Sequence, residues 1–209
     1  MPRGVVVAAS LLLIYSSAAL AATDEWYVAA DIGKPSIGNW PSSVRSGNSI
    51  FTTSESQAAY RIAGGYQFDP YWGLELSYVD LGSVEDSYRN TGPVSPDQGS
   101  YSNATIKARA FGVAAMGTYP FNEQWAAFAR LGYMNGSLDV QYQTDALFNP
   151  PNGTNSSWKL SYGGGVEWSY TANWVFRLGW DRYRQFTGRY NFLGTHDFSL
   201  TTLGVVYRF

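Results

Sequence analysis

The sequence predicts an all-β fold: an eight-stranded antiparallel up-and-down transmembrane β-barrel. Three observations predict it. The first is a period-two alternation that closes on LGVVYRF at 203–209. Leu203, Val205, Tyr207 and Phe209 share one face, and Gly204, Val206 and Arg208 share the other. A half-buried strand reads this way. In water such a chain end is a bare apolar edge, whereas in lipid the same face is favourable. The second observation is a repeat, FDPYW at 68–72, FNEQW at 121–125 and YTANW at 170–174. The third is composition. Aromatics make up 17% of the chain and there are 22 Gly, yet only 14% of residues are charged. Soluble domains carry about 25% charged residues. Beyond the N-terminus no apolar run is long enough for a membrane helix, but barrel strands hide their hydrophobicity in alternation.

Composition also excludes. A net charge of −2 gives a nucleic-acid partner no electrostatic support. The absence of Cys removes disulfides and thiolate metal sites. No cofactor or metal is implied. The length allows one domain, or at most two small ones.

The N-terminus has a secretory layout, with Arg3 as the positive start, Val5 to Ile14 as an apolar core, and Ala19, Leu20 and Ala21 as an A-x-A site. Residues 1–21 are therefore expected to be a cleaved signal peptide, and 22–209 the barrel domain. Strand one is Trp26 to Gly33, with Trp26, Val28, Ala30 and Ile32 opposite Tyr27, Ala29, Asp31 and Gly33. Strand two carries Tyr60, Ile62, Gly64, Tyr66 and Phe68 opposite Arg61, Ala63, Gly65 and Gln67.

Each repeat is an aromatic, three turn-compatible residues and a Trp, between two alternating segments. It reads as a tight hairpin turn. The strands around the turns keep the pattern. Leu74, Leu76 and Tyr78 oppose Glu75 and Ser77; Ala127, Ala129, Leu131 and Tyr133 oppose Phe128, Arg130 and Gly132. Leu160, Tyr162, Gly164, Val166 and Trp168 oppose Ser161, Gly163, Gly165 and Glu167; Phe176, Leu178 and Trp180 oppose Arg177, Gly179 and Asp181. Between the turns, 34–57, 83–103, 143–157 and 186–195 read as long polar loops. Three turns and four loops make seven connections, hence eight strands. Short turns at one end and long loops at the other are the asymmetry of outer-membrane barrels. The short-turn end then carries an aromatic girdle of Trp26, Phe68, Trp72, Phe121, Trp125, Tyr170, Trp174 and Phe209.

In WYVAADIG at 26–33, GGYQFDPYWGLELSYVDLG at 64–82, ARLGYM at 129–134, GGGVEW at 163–168, RLGWDRY at 177–183 and LGVVYRF at 203–209, the chain resembles the OmpA-type transmembrane domain of bacterial outer membranes. The resemblance covers nearly all of the chain after the leader. It implies an outer-membrane location, a monomeric eight-stranded barrel, contact with outer-membrane lipids and lipopolysaccharide, and recognition of the terminal Phe209 by the barrel-insertion machinery. The family's peptidoglycan-binding domain is not part of this match.

An eight-stranded barrel is just wide enough to be filled by side chains. Alternation sets Asp31, Arg61, Glu75, Arg130, Glu167, Arg177 and Asp181 on one face, and the signal peptide and aromatic shoulders, which call for a closed barrel in lipid, turn that face inward, four acids and three bases. An unpartnered buried charge is costly, so pairing is required. By resemblance, Glu75 is the central acid of a cluster that plugs the lumen. Arg177 is then its partner, Arg130 and Glu167 are neighbours, and a change of partner opens a narrow pore. Met116 stands where the family's alternative Lys partner would be, and Gly179 where many members have an acid. The expected function is a structural envelope barrel with a narrow, mostly closed pore. The alternative is a surface adhesin or receptor acting through its loops.

A third class, a lipid A-modifying enzyme, is less expected, and the chain is read as not an enzyme. A Ser nucleophile needs a His on the same face. The single His, His196, lies three residues from Ser199, and the two point to opposite faces of a strand. Lys107 and Arg109, on an outward face near the loop end of strand four, are candidates to meet lipopolysaccharide phosphates.

Overall fold

The computed structural model describes residues 25–37, 43–46, 49–55, 58–90, 92, 101–145, 153–187 and 195–209. The expected signal peptide lies outside them. The described chain is nearly all strand: β1 Glu25–Ile37, β2 Ser43–Ser46, β3 Ser49–Glu55, β4 Ala59–Gln67, β5 Trp72–Asn90, β6 Tyr101–Pro120, β7 Trp125–Thr144, β8 Gly153–Ser169, β9 Trp174–Thr187 and β10 Thr195–Arg208. Eight of them form a ring, β1-β4-β5-β6-β7-β8-β9-β10, antiparallel at every junction. The ring closes where β1 pairs with β10 from Tyr27↔Arg208 to Ile37↔Phe198. The predicted closed eight-stranded barrel is the fold observed, and its last strand has no free edge.

The three repeats are one turn built three times. The aromatic N–H donates to the carbonyl of the closing Trp, from Phe68 to Trp72 at 3.0 Å, Phe121 to Trp125 at 2.8 Å and Tyr170 to Trp174 at 2.9 Å. The second turn residue folds back on the backbone. Asp69 Oδ1 accepts from the N–H groups of Tyr71 and Trp72, and Asn122 Oδ1 from those of Gln124 and Trp125. Thr171 Oγ1 accepts from the N–H of Trp174. Short polar side chains are favoured in turns for this bond.

The opposite end corrects the sequence reading. The described parts of 34–57, 83–103 and 143–157, expected as loops, are largely strand, while most of 186–195 lies outside the described residues. β5 runs to Asn90 and β6 starts at Tyr101, so 83–90 and 101–103 are paired ladder. β7 and β8 likewise pair out to Val140↔Gly153. Within 34–57, β1 continues to Ile37 and β2 pairs with β3. β3 and β4 both pair antiparallel with β5, one on 84–90 and the other on 73–80, so they follow one another along it. Between those two stretches β5 carries a bulge, where Asp80, Leu81, Gly82 and Ser83 span the two-residue step from Arg109 to Lys107 on β6. Gly82 takes φ 80°, and its N–H donates to Asp80 Oδ1. A left-handed residue in a bulge favours Gly.

These segments look like loops because their outward residues are polar. Beyond the bulge the pattern inverts. Lys107, Arg109, Glu85 and Gln141 are exposed, while Val84, Ile106, Ala108, Leu138 and Val140 are buried. Lower down the apolar residues face out: Trp26, Ile62, Leu76, Leu131 and Leu203 are 58–66% exposed. Only the lower part is dressed for lipid.

Candidate functional site

The charged residues of the lower strands meet in one buried layer. Asp31, Arg61, Glu75, Arg130, Glu167, Arg177 and Asp181 are each at most 5% exposed. Strand parity puts them there, since each alternates with a lipid-facing neighbour. Glu75 sits at the centre. Its carboxylate accepts from Arg61, from Arg177 Nη1 at 3.1 Å, from Arg130 Nη1 at 3.4 Å and from the Tyr27 hydroxyl at 3.1 Å. Arg61 also reaches Asp31 at 2.8 Å. Arg177 Nε and Nη2 grip Glu167 Oε1 at 2.8 and 2.7 Å. Arg130 Nη2 lies 3.3 Å from Asp181 Oδ2 at ion-pair distance, without the alignment of a hydrogen bond.

Three participants were not singled out from the sequence. Arg208 reaches Glu167 Oε2 at 3.2 Å and supplies a fourth base, so the layer holds four acids and four bases. It shares inward parity with Gly204 and Val206, the signal that could have found it. Tyr27 donates to Glu75, and its ring lies where a Cβ on Gly65 would fall, so only Gly admits it. Phe128 carries the guanidinium of Arg130 at 4.8 Å and that of Arg177 at 4.9 Å from its ring centre. Such contacts stabilise desolvated cations. A polar layer this dry is tolerable because nearly every charge has a partner of opposite sign.

Below the layer two cavities open at the short-turn end. The smaller, of about 10 Å³, reaches Tyr27, Glu167 and Arg177; the larger, of about 70 Å³, reaches the turns through Gln67, Thr118 and Arg208. Above it, buried apolar side chains form one continuous cluster from β4, β5, β6, β7, β9 and β10, centred on Val79, Leu138, Phe198 and Leu200.

The eight aromatics expected in the girdle all lie exposed at the short-turn end. Phe209 N–H donates to the Trp26 carbonyl at 3.0 Å, and Trp72 packs over Gly117. Tyr66, Trp168 and Tyr207 join the same belt. A second belt of Tyr60, Tyr78, Phe111, Tyr133 and Trp158 marks the upper edge of the apolar surface. Aromatic residues favour both membrane–water boundaries. Lys107 and Arg109 point outward just above it. Arg109 Nε is 3.5 Å from Asp80, and Lys107 stands opposite Ser83 and Asp139. On the last strand Ser199 pairs in register with Arg182 and Ser36; the side chain of His196 lies outside the described residues.

A closed ring with an apolar exterior, two aromatic belts and a filled, charge-paired interior defines a small transmembrane β-barrel. The chain belongs to the outer membrane protein beta-barrel domain family, whose profile matches residues 6–209. It is 28% identical to outer membrane protein A of Escherichia fergusonii over 214 residues, covering 100% of this chain and 56% of that protein. It is 30% identical to outer membrane protein A of Shigella dysenteriae over 158 residues, 75% of this chain and 42% of that protein. The chain thus spans about half the length of these relatives. Among solved structures it is similar in fold to Neisserial surface protein A, with a TM-score of 0.55 and 16% identity over 88% of this chain and 97% of that one. The N-terminal β-barrel domain of Pseudomonas aeruginosa OprF matches with a TM-score of 0.52 and 11% identity, over 90% of this chain and 100% of that one.

Proposed function

We propose that this protein is a structural barrel of the bacterial outer membrane whose lumen is a narrow, mostly closed pore plugged by the Glu75 cluster. The observation that carries this reading is the fourfold coordination of one buried carboxylate by Arg61, Arg130, Arg177 and Tyr27. Each guanidinium also has a second acid, Asp31, Asp181 or Glu167. Glu75 can therefore be released without leaving any arginine wholly unpaired. Met116, at the place of the family's Lys, offers Glu75 no alternative cation, which favours the closed state.

Recordings of the refolded protein in planar bilayers test this. Wild type is expected to give rare steps of small conductance, and Glu75→Ala to change their size or frequency. Identical traces from both would reduce the cluster to a structural ion-pair core.

The same reading makes lipopolysaccharide a partner through Lys107 and Arg109, which stand above the upper aromatic belt where lipid phosphates sit. Replacing both with Ala is expected to reduce lipopolysaccharide retained through purification by roughly half or more, each exposed contact contributing at most about 1 kcal/mol. Unchanged retention would remove these two residues from any such site.

A further inference from the structure

The interior changes chemistry along its height, and the change is abrupt. On β4 the inward residues pass from Arg61 to Ala59, on β9 from Asp181 to Tyr183, and on β10 from Thr202 to Leu200. On β5 the step is from Glu75 past Ser77 to Val79, and on β7 from Arg130 past Gly132 to Met134. Ser77 Oγ and Met134 Sδ, 4.0 Å apart, mark the seam. Above the seam the buried residues form the one apolar cluster described above, drawn from strands on opposite sides of the ring. Leu200 and Val79 are 0% exposed. Below the seam the apolar cluster of Tyr27, Ala29, Val175 and Val206 comes from β1, β9 and β10 only. The two cavities open beside it: the smaller touches Tyr27 and Val206 and runs up to Arg177, and the larger continues through Thr118 and Arg208 to the turns.

We propose that the apolar layer around Leu200, Val79 and Leu138 is a second barrier, in series with the ion-pair cluster, and the one that closes this barrel toward the cell exterior. The lumen is then a cup, wetted from the periplasmic end as far as the charged layer and dry above it. The inference rests on the reading of a closed outer-membrane barrel and adds where the closure lies. Loosening Glu75 frees charges within the cup, but an ion leaving it still has to shed its water among Leu, Val, Ile and Phe. Apolar constrictions stop ions in this way, by excluding water. Conductance through the intact protein therefore requires the upper strands to part as well as the cluster to loosen: Glu75 sets the steps that pass while the exit is open, and a change of its partner alone leaves the exit closed.

The chain has no Cys, so a single introduced thiol reports access without background. Thr118→Cys lines the periplasmic cavities, and Thr202→Cys lies in the charged layer. The barrel is refolded into vesicles in one orientation, and a charged, membrane-impermeant thiol reagent is added to either side. Thr118→Cys is expected to react from the turn side only. Thr202→Cys combined with Glu75→Ala is expected to react from the turn side and not from the loop side. Adding Leu200→Ser is expected to raise the loop-side rate by about tenfold or more, because a polar residue wets the constriction. Leu138→Ser serves the same purpose should Leu200→Ser fail to fold, as judged by gel mobility of unheated samples. Loop-side reaction of Thr202→Cys with Glu75→Ala alone, at a rate that neither Ser variant raises, would overturn the proposal. Failure of the parent reading looks different: Thr202→Cys then reacts from both sides with Glu75 intact.

Discussion

Glu75 holds three guanidinium groups within a space that excludes water, and a carboxylate is what makes that arrangement tolerable. Truncating it leaves Arg61, Arg130 and Arg177 facing one another with one acid each. Removing one member of a buried ion network costs about 3–5 kcal/mol. Glu75→Ala is therefore expected to lower unfolding stability in urea by that amount while the barrel still forms. Glu75→Gln, which keeps the shape and one acceptor oxygen, is expected to lose less. A loss under about 1 kcal/mol for Glu75→Ala would mean that water or lipid headgroups screen these charges in solution. At this scale the sequence was legible where parity decides: Asp31, Arg61, Arg130, Glu167, Arg177 and Asp181 alternate with aromatic or aliphatic neighbours. Arg208 sat on the same parity but beside a chain end, where alternation has few residues left to establish it. Tyr27 and Phe128 were opaque for another reason. An inward aromatic in a polar lumen breaks the rule, and only the Gly65 and Gly165 notches opposite, visible in three dimensions, make room for it.

At the scale of elements, the short turns were legible because their chemistry is local. An Asp, Asn or Thr at the second position, three residues before the Trp, both starts the turn and caps it. Asn122 Oδ1 accepts from two backbone N–H groups at 2.9 Å. Asn122→Ala is expected to destabilise the barrel by about 1 kcal/mol, the net worth of such bonds at an exposed site. Asn122→Asp, which keeps the acceptor, is expected to be close to neutral. Equal losses for the two in a urea titration would assign the effect to the turn backbone. The long hairpins were not legible for a matching reason. Their stability comes from pairing with strands far away in sequence and from an apolar interior fed by one residue in two. Val84, Ile106, Leu138 and Val140 are separated by Ser, Thr, Asp and Gln, and a window of polar outward residues looks like a loop until the inward ones are seen to touch. The inversion itself is present in the sequence, since the charged parity changes from inward Glu75 to outward Asp80 and Arg109. It needs the Gly82 bulge to be placed correctly.

For the whole molecule, that inversion fixes how much of the wall belongs to lipid. Outward apolar residues run from Trp72 to Tyr78 on β5, from Trp125 to Tyr133 on β7 and from Trp174 to Trp180 on β9. These are six to eight residue steps. At about 3.3 Å per residue along strands tilted by about 40°, they give a belt of about 15–20 Å on these strands, widening to about 25 Å only at β8, where Trp158 and Trp168 lie ten residues apart. Typical barrels carry an apolar band of about 25 Å. The polar outer wall above cannot make up the difference, because Lys34, Glu85, Lys107, Arg109 and Arg184 would be drawn into hydrocarbon. A bilayer thicker than the belt must thin around the barrel, at a fraction of a kcal/mol per Å. Folding should therefore favour short-chain lipids. Refolding into vesicles of ten- or twelve-carbon phosphatidylcholines is expected to be faster and more complete than into eighteen-carbon vesicles, read as the heat-modifiable band on a gel. The Lys107→Leu, Arg109→Leu pair, which extends the apolar surface on one strand, is expected to narrow that difference. Equal yields across chain lengths would place the membrane boundary higher on the wall, at the open ends of the hairpins, with the outward charges of β5 and β6 inside the bilayer and held there by pairs such as Arg109 with Asp80.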